Sequence, residues 1–505
     1  MEFIVQGLSL LFDPKVILVI IISAIYGLFV GAIPGLTATM ATALLIPFTF
    51  FMDPVPALVS IVTMEAMAIF AGDIPAALVR IPGTPSSAAY TQDSFELTKQ
   101  GKAEMVLGVD VVFSVIGGLI GALILMTAAP LLAEIAFKFT TFEYFWLATM
   151  GLSVTVMVSR GSLLKGALSL LLGLFLSTIG VDITLGFPRF TFGSVELLNG
   201  INFIPAMIGL FGVSEVFRSV MHGELAYPIA KVQAGKIFKG MWQLCKRFKL
   251  NVMRSGLLGT FIGILPGAGA DIAAWIAYAL SKRGSKEPEK YGSGSIEAIV
   301  DAGTANNSCL AGAWIPALVF GIPGDSITAI LIGVLFMKGL RPGPLIFERQ
   351  PEILYAVYLS FILANLLMIP FGYLAIKSSS QMLRAPRNIL MPAILIFCIV
   401  GSFAINNTVF DVGVMLVMGI LGYCLEANGF PVAPVVLGIV LGPIVEKNFM
   451  MSMIKTDWDV TQFFTRPISA ILCIVTLLIW FFPLFIALFQ KVKPSHPKGR
   501  ISKIE

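Results

Sequence analysis

Histidine is almost absent from this 505-residue chain, His222 and His496 being the only two. A His-ligated metal site or an imidazole base inside a membrane has almost nothing to be built from. Cysteine is scarce as well: Cys245, Cys309, Cys398, Cys424 and Cys473 lie far apart with no C-x-x-C pair, which leaves them as packing residues. No G-x-x-x-x-G-K-[ST] phosphate loop occurs, so the chain is not expected to hydrolyse ATP. Charge is the largest deficit. Only 12% of the residues are charged, against ~25% in a soluble domain, while 57% are hydrophobic and the mean hydropathy is +0.91. A soluble fold is excluded in practice. The first apolar segment also lacks a basic leader and a small-residue cleavage site, since Glu2 and Asp13 precede it with only Lys15 beside it. It is expected to be a retained helix.

What fills the chain instead is apolar runs, for example Ile17 to Ile33, Val106 to Ala129, Leu354 to Ile376 and Pro467 to Phe485. Each suffices to cross a hydrocarbon layer of ~30 Å, and roughly eleven crossings plus broken or re-entrant segments are expected. Backbone groups in lipid must be satisfied within a segment, so the fold class is an all-α polytopic membrane protein. Loop charge sets the orientation. From Arg218 to Arg254 eight Lys or Arg face Glu224 alone, which makes this linker cytoplasmic and suits it to anionic lipid, with no nucleic-acid role. Counting helices outward from it puts the N-terminus outside and the basic tail from Lys491 in the cytoplasm. The expected organisation is a first membrane repeat (1–217), the basic linker (218–254), a second repeat (255–446), an external loop (447–466) and an extra C-terminal helix with its tail (467–505).

The repeat rests on two aligned blocks. Gly31 to Thr39 (GAIPGLTAT) matches Gly263 to Asp271 (GILPGAGAD) 232 positions later, and Ile74 to Gly83 matches Ile315 to Gly324 with six identities in ten at an offset of 241. The nine extra residues fall in the charged, Gly-rich stretch Ser281 to Ser295, where a loop insertion is easily absorbed. In the topology above the two copies run oppositely through the membrane. Inverted repeats with helix breaks at corresponding positions indicate the midplane site of a secondary transporter.

The chemistry of a break suits an anion. Proline removes a helical donor and glycine accepts backbone angles that other residues resist, so the helix stops and can restart. A restarting helix presents free N–H groups and roughly half a positive charge, an anion site without a buried Arg or Lys. The candidate substrate-binding residues are Pro34, Gly35, Thr37 and Thr39, then Gly83, Thr84, Ser86 and Ser87, then Gly267, Gly269, Asn306 and Asn307, then Gly324 and Ser326. Ser, Thr and Asp also cap helices, and both uses can hold together. Acids inside apolar segments are expensive and indicate function. Glu65, Asp73, Asp271 and Asp325 are the candidate ion-coupling residues, for a proton or a Na+, with a cap or a partner for Arg80 as the plainer role. Asp110, Asp301, Asp411 and Glu426 sit nearer segment ends, where interfacial solvation is expected. No metal site, catalytic residue or cofactor beyond a coupling Na+ or H+ is expected.

Gly263 to Asp271, Gly303 to Asn307 (GTANN), Ile315 to Ser326 (IPALVFGIPGDS) and Gly339 to Glu352, together with Gly31 to Thr39 and Arg80 to Ala89, closely resemble the large membrane subunit of the bacterial tripartite tricarboxylate transporter family. The resemblance spans nearly the whole chain. It implies residence in the bacterial inner membrane, a small four-helix membrane subunit and a periplasmic solute-binding protein as partners, and uptake of di- or tricarboxylates or related organic acids driven by an ion gradient. Thr37 stands where the second copy has Gly269, so the halves are not expected to bind identical groups. Other readings stay open: a stand-alone carboxylate carrier, a passive channel, and a non-transporting scaffold or intramembrane enzyme. For an aspartyl protease the chain has candidate acids but no Tyr-Asp or Gly-x-Gly-Asp pattern around them.

Overall fold

The computed structural model describes residues 2–158, 162–182, 186–222, 235, 237–383 and 387–492. Parts of the basic linker, including Lys231 and Lys236, and the tail beyond residue 492 with His496 lie outside the described residues. The described secondary structure is helical apart from one antiparallel ribbon, Gly180–Val181 against Pro188–Arg189. Among the described residues eight helices are long and apolar enough to cross a membrane, and five shorter apolar helices accompany them. The chain is an all-α polytopic membrane protein.

The two halves repeat one order of elements. Pro14–Ala32, a break, Ala38–Phe50, Pro54–Ala71 and Asp73–Val79, a second break, then Ala103–Ala136 and three further helical segments make the first half. Lys249–Ile264, a break, Gly269–Gly284, Ile296–Phe320, a second break, Ser326–Met337, then Pro351–Met382 and three more make the second. Pro467–Val492 has no counterpart. It is held by Trp480 Nε1 donating to Ser153 Oγ at 2.6 Å and by Arg466 pairing with Glu143 at 3.0 Å. The helix Val432–Lys455 runs well into the stretch 447–466 expected to be a loop, and a short turn of helix, Gln462–Thr465, occupies part of the rest. The apolar run ends near residue 445, but a helix can continue past it into the interfacial layer, where polar side chains remain solvated.

Packing repeats as closely as order does. Within the first half, a Cβ on Gly27 would lie 2.5 Å from the Met64 carbonyl oxygen and one on Gly31 2.2 Å from that of Ala68. In the second, Gly259 meets the Ala305 carbonyl at 2.3 Å and Gly263 that of Cys309 at 2.3 Å. These are corresponding positions in both copies. Each pair is a G-x-x-x-G, the spacing that lets two membrane helices approach backbone to backbone. The halves also exchange partners: Ala103–Ala136 packs on Ile296–Phe320, and Pro351–Met382 packs on Pro54–Ala71. Glycine again permits it, since Gly117 faces the Thr304 carbonyl at 2.3 Å and Gly121 that of Ser308 at 2.5 Å. The halves therefore interlock, and the two largest clusters of buried apolar side chains draw on both.

Candidate functional site

The four breaks share their local geometry pairwise. After Pro34 and Pro266, Gly35 and Gly267 take positive φ of 95° and 80°, the left-handed region that a Cβ resists. At the second pair, Arg80 (φ 60°) and Gly321 (φ 68°) end their helices in the left-handed conformation, each donating its N–H to the carbonyl of the matched proline, Pro75 or Pro316. Side chains cap the restarts at Ala38–Phe50 and Ser326–Met337, but not the one at Gly269–Gly284. Thr37 Oγ1 accepts from Met40 N–H at 3.1 Å. Asp325 accepts from Thr328 N–H at 2.8 Å while Thr328 Oγ1 accepts from Asp325 N–H at 2.9 Å, a reciprocal capping box. Thr84 and Ser87, the aligned pair, reproduce it: Thr84 N–H donates to Ser87 Oγ at 3.3 Å and Ser87 N–H to Thr84 Oγ1 at 3.4 Å.

All four breaks converge on one cavity of about 520 Å³. Of the candidate substrate residues, Gly35, Thr37, Thr39, Gly83, Thr84, Ser86, Gly267, Gly269 and Ser326 line it, and so do Asp271 and Asp325. Pro34, Ser87, Gly324, Asn306 and Asn307 are not among its lining residues. Ser87 is fully buried and serves the Thr84 turn, and the Gly324 carbonyl accepts the Gly267 N–H at 2.7 Å, tying the two second-half breaks together. Asn306 and Asn307 are buried in the middle of Ile296–Phe320. The cavity also takes in residues that sequence reasoning missed, among them Thr155, Ser214, Glu215 and Arg218. Arg218 there pairs with Glu215 and, at 3.5 Å, with Glu426. Glu426, expected at an interface, thus stands at the cavity wall.

The ion-coupling candidates separate into two places. Asp271 and Asp325 stand at the cavity, with Asp325 committed to its own capping box. Glu65 and Asp73 are buried elsewhere, and the side chains that bond them are not that of Arg80, which is exposed at its break. Glu65 accepts from Trp314 Nε1 at 2.9 Å, and Asp73 accepts from Tyr90 OH at 2.6 Å. Trp314 occupies the position aligned with Asp73, so the unequal halves meet through complementary side chains. Three acids expected at the interface are buried instead: Asp110, Asp301 and Asp411 are 1%, 0% and 3% exposed. Asp301 gathers Asn251, Arg254, Ser255 and Ser281, and Asp411 accepts from Asn406 at 2.8 Å. The helix around Asp110 begins at Ala103 and extends for 34 residues, which places that carboxyl two turns inside the bundle. Its sequence signal was an acid close to the start of an apolar run, read as an end.

Fold and site together define a membrane protein in which two matched sets of broken helices face one central cavity. The chain belongs to the tripartite tricarboxylate transporter TctA family, whose model matches residues 17–437; it is a membrane transporter component, and the family supplies the large subunit of a multi-subunit transporter. Among curated proteins it is 35% identical over 482 residues to an uncharacterized 52.8 kDa protein in the TAR-I ttuC' 3' region of Agrobacterium vitis, covering 94% of this chain and 95% of that one. It is also 38% identical over 212 residues to an uncharacterized protein in the TAR-II ttuC' 3' region of the same organism, covering 42% of this chain and 88% of the relative. No solved structure matches.

Proposed function

We propose that this chain is the permease subunit of a binding-protein-dependent secondary transporter, importing di- or tricarboxylates or related organic acids with an ion gradient. The observation that carries the reading is the convergence of all four breaks on one cavity of about 520 Å³, within the ~300–1,000 Å³ of small-molecule sites. Three helices restart at its wall, Ala38–Phe50, Gly269–Gly284 and Ser326–Met337, so their N-terminal N–H groups and dipoles favour an anion there. Because caps occupy Thr37, Thr84 and Asp325, the substrate carboxylates fall to Thr39, Ser86, Ser326 and the N–H groups at the restarts. Asp271 and Asp325 repel an anion, so a coupling cation bound beforehand favours substrate binding.

The matched backbone geometry of the breaks supports two repeats; the loop charges support their inverted orientation, with the N-terminus outside and the C-terminus in the cytoplasm, and the family membership supports the bacterial inner membrane. The family membership supports a small membrane subunit and a periplasmic solute-binding protein as partners. The test is uptake of a labelled carboxylate panel by proteoliposomes, with and without both partners, under separate Na+ and proton gradients. Saturable, gradient-driven uptake with substrate-stimulated exchange, dependent on the binding protein, is expected. Unsaturable flux without exchange would mean a channel, and full uptake without partners a stand-alone carrier; either result rejects the proposal.

A further inference from the structure

Behind the cavity wall lies a second polar cluster that the substrate site does not use. Asp73 and Asp110 are each 1% exposed, on different helices. Tyr90 OH donates to Asp73 Oδ1 at 2.6 Å and accepts from Asn306 Nδ2 at 3.4 Å. Asp110 sits on Ala103–Ala136, which packs against both Asp73–Val79 and Ile296–Phe320. One turn on from Asp110, Ser114 Oγ accepts from Asn307 Nδ2 at 2.8 Å. The oxygens left over are the informative atoms: Asp73 Oδ2, both carboxylate oxygens of Asp110, Asn306 Oδ1 and Asn307 Oδ1 are buried without a hydrogen-bond partner among the described residues. Gly303, one turn before Asn307, is buried too, yet a Cβ on it would meet nothing within 4 Å. Unfilled space thus borders a set of bare acceptors.

We propose that Asp73, Asp110 and Asn306, with Asn307 beside them, hold a dehydrated Na+. Bare buried acceptors carry a desolvation penalty that a cation removes. Each proton bridges only two acceptors, whereas one cation is shared by the whole set. The donor set is hard oxygen, two carboxylates with neutral amide carbonyls, and among the described residues no group of three or more His, Cys, Asp or Glu is placed for a multivalent metal. The inference rests on the ion-coupled reading above and gives it a route. Asp73 follows Gly72, whose carbonyl accepts Gly83 N–H at 3.0 Å and whose own Cβ would lie 2.6 Å from Thr84. A cation at Asp73 therefore orders the backbone directly behind the substrate wall.

The experiment is the melting of the purified full-length chain without substrate, titrated with NaCl against choline chloride at fixed ionic strength and pH. A saturable, Na+-specific rise in the melting temperature is expected. Asp110→Asn, nearly isosteric, and Asn306→Ala should each weaken the apparent Na+ affinity at least about tenfold, and Gly303→Ala, which fills the space, should weaken it as well. If one variant does not fold, the others carry the test. No Na+-specific shift in the unaltered chain, a shift by Ca2+ or Mg2+ in its place, or unchanged affinity in the folded variants would overturn the site. Because substrate is absent, that failure is separate from the transport reading. Loss of uptake with an intact Na+ shift counts against transport alone.

Discussion

Substituting Gly31 or Gly263 by Ala sets two opposed effects of known size against each other. Alanine is the better helix former by about 1 kcal/mol. The added methyl, however, would lie 2.2 Å from the Ala68 carbonyl oxygen or 2.3 Å from that of Cys309, where a carbon needs about 3.3 Å. The helices must part by roughly 1 Å, and the obstacle is backbone in a buried helix, which cannot rotate away as a side-chain tip would. Overpacking of this kind costs about 1–3 kcal/mol, so the clash exceeds the propensity gain, and each substitution is expected to destabilise by about 1 kcal/mol or more. The Gly83 Cβ position, 2.6 Å from the Gly31 carbonyl, carries the displacement to the next break, so weaker substrate affinity should accompany the loss. Melting of the purified variants, with uptake in proteoliposomes as second readout, checks this. Gly413→Ala is the reference, being in a helix with nothing within 4 Å of the new Cβ. If Gly31→Ala and Gly263→Ala melt with or above the parent while Gly413→Ala behaves the same way, the close-approach reasoning is wrong.

Ser87→Ala should cost about 1 kcal/mol of stability through its lost cap, whereas Thr39→Ala should leave melting unchanged and raise the half-saturation concentration; the reverse pattern would exchange their assigned roles. Arg80→Gly should raise stability by roughly 1 kcal/mol by relieving a left-handed residue, and Gly321→Ala should lower it by a similar amount; melting of both variants tests the pair, and equal melting would show that neither position is strained. Trp314→Phe removes the one hydrogen-bond donor to Glu65 among the described residues and should cost about 1–3 kcal/mol, an effect that Glu65→Gln in the same background should reduce. No recovery would mean that the lost indole packing, not the carboxylate, dominates.

Helix positions were legible in the sequence wherever a single segment decides them. Lipid admits only internally bonded backbone, so apolar runs such as Leu354 to Ile376 became helices, here Pro351–Met382. The G-x-x-x-G pairs, at Gly27 and Gly31 and at Gly259 and Gly263, went unread in the sequence, because their significance shows only against the facing carbonyls. Asp110 was misread because its depth depends on where the helix begins, and Ala103 to Met105 extend it beyond the apolar run. Ser87 was read as a ligand because a hydroxyl after a break looks the same whether it faces a cavity or its own turn.

By itself the sequence determined where helices break and restart, since proline and glycine act within one turn of chain, and it determined that the two halves repeat. Only the tertiary structure decided which residues meet. Trp314 reaches Glu65 across 249 positions and Asn306 reaches Tyr90 across 216, because the halves exchange helices and each completes the other's interior. Four breaks spread over some three hundred residues become one cavity for the same reason, while the acids, each aligned with a non-acid in the other copy, part company, Asp271 and Asp325 to the cavity, Glu65 and Asp73 into the interlocked core.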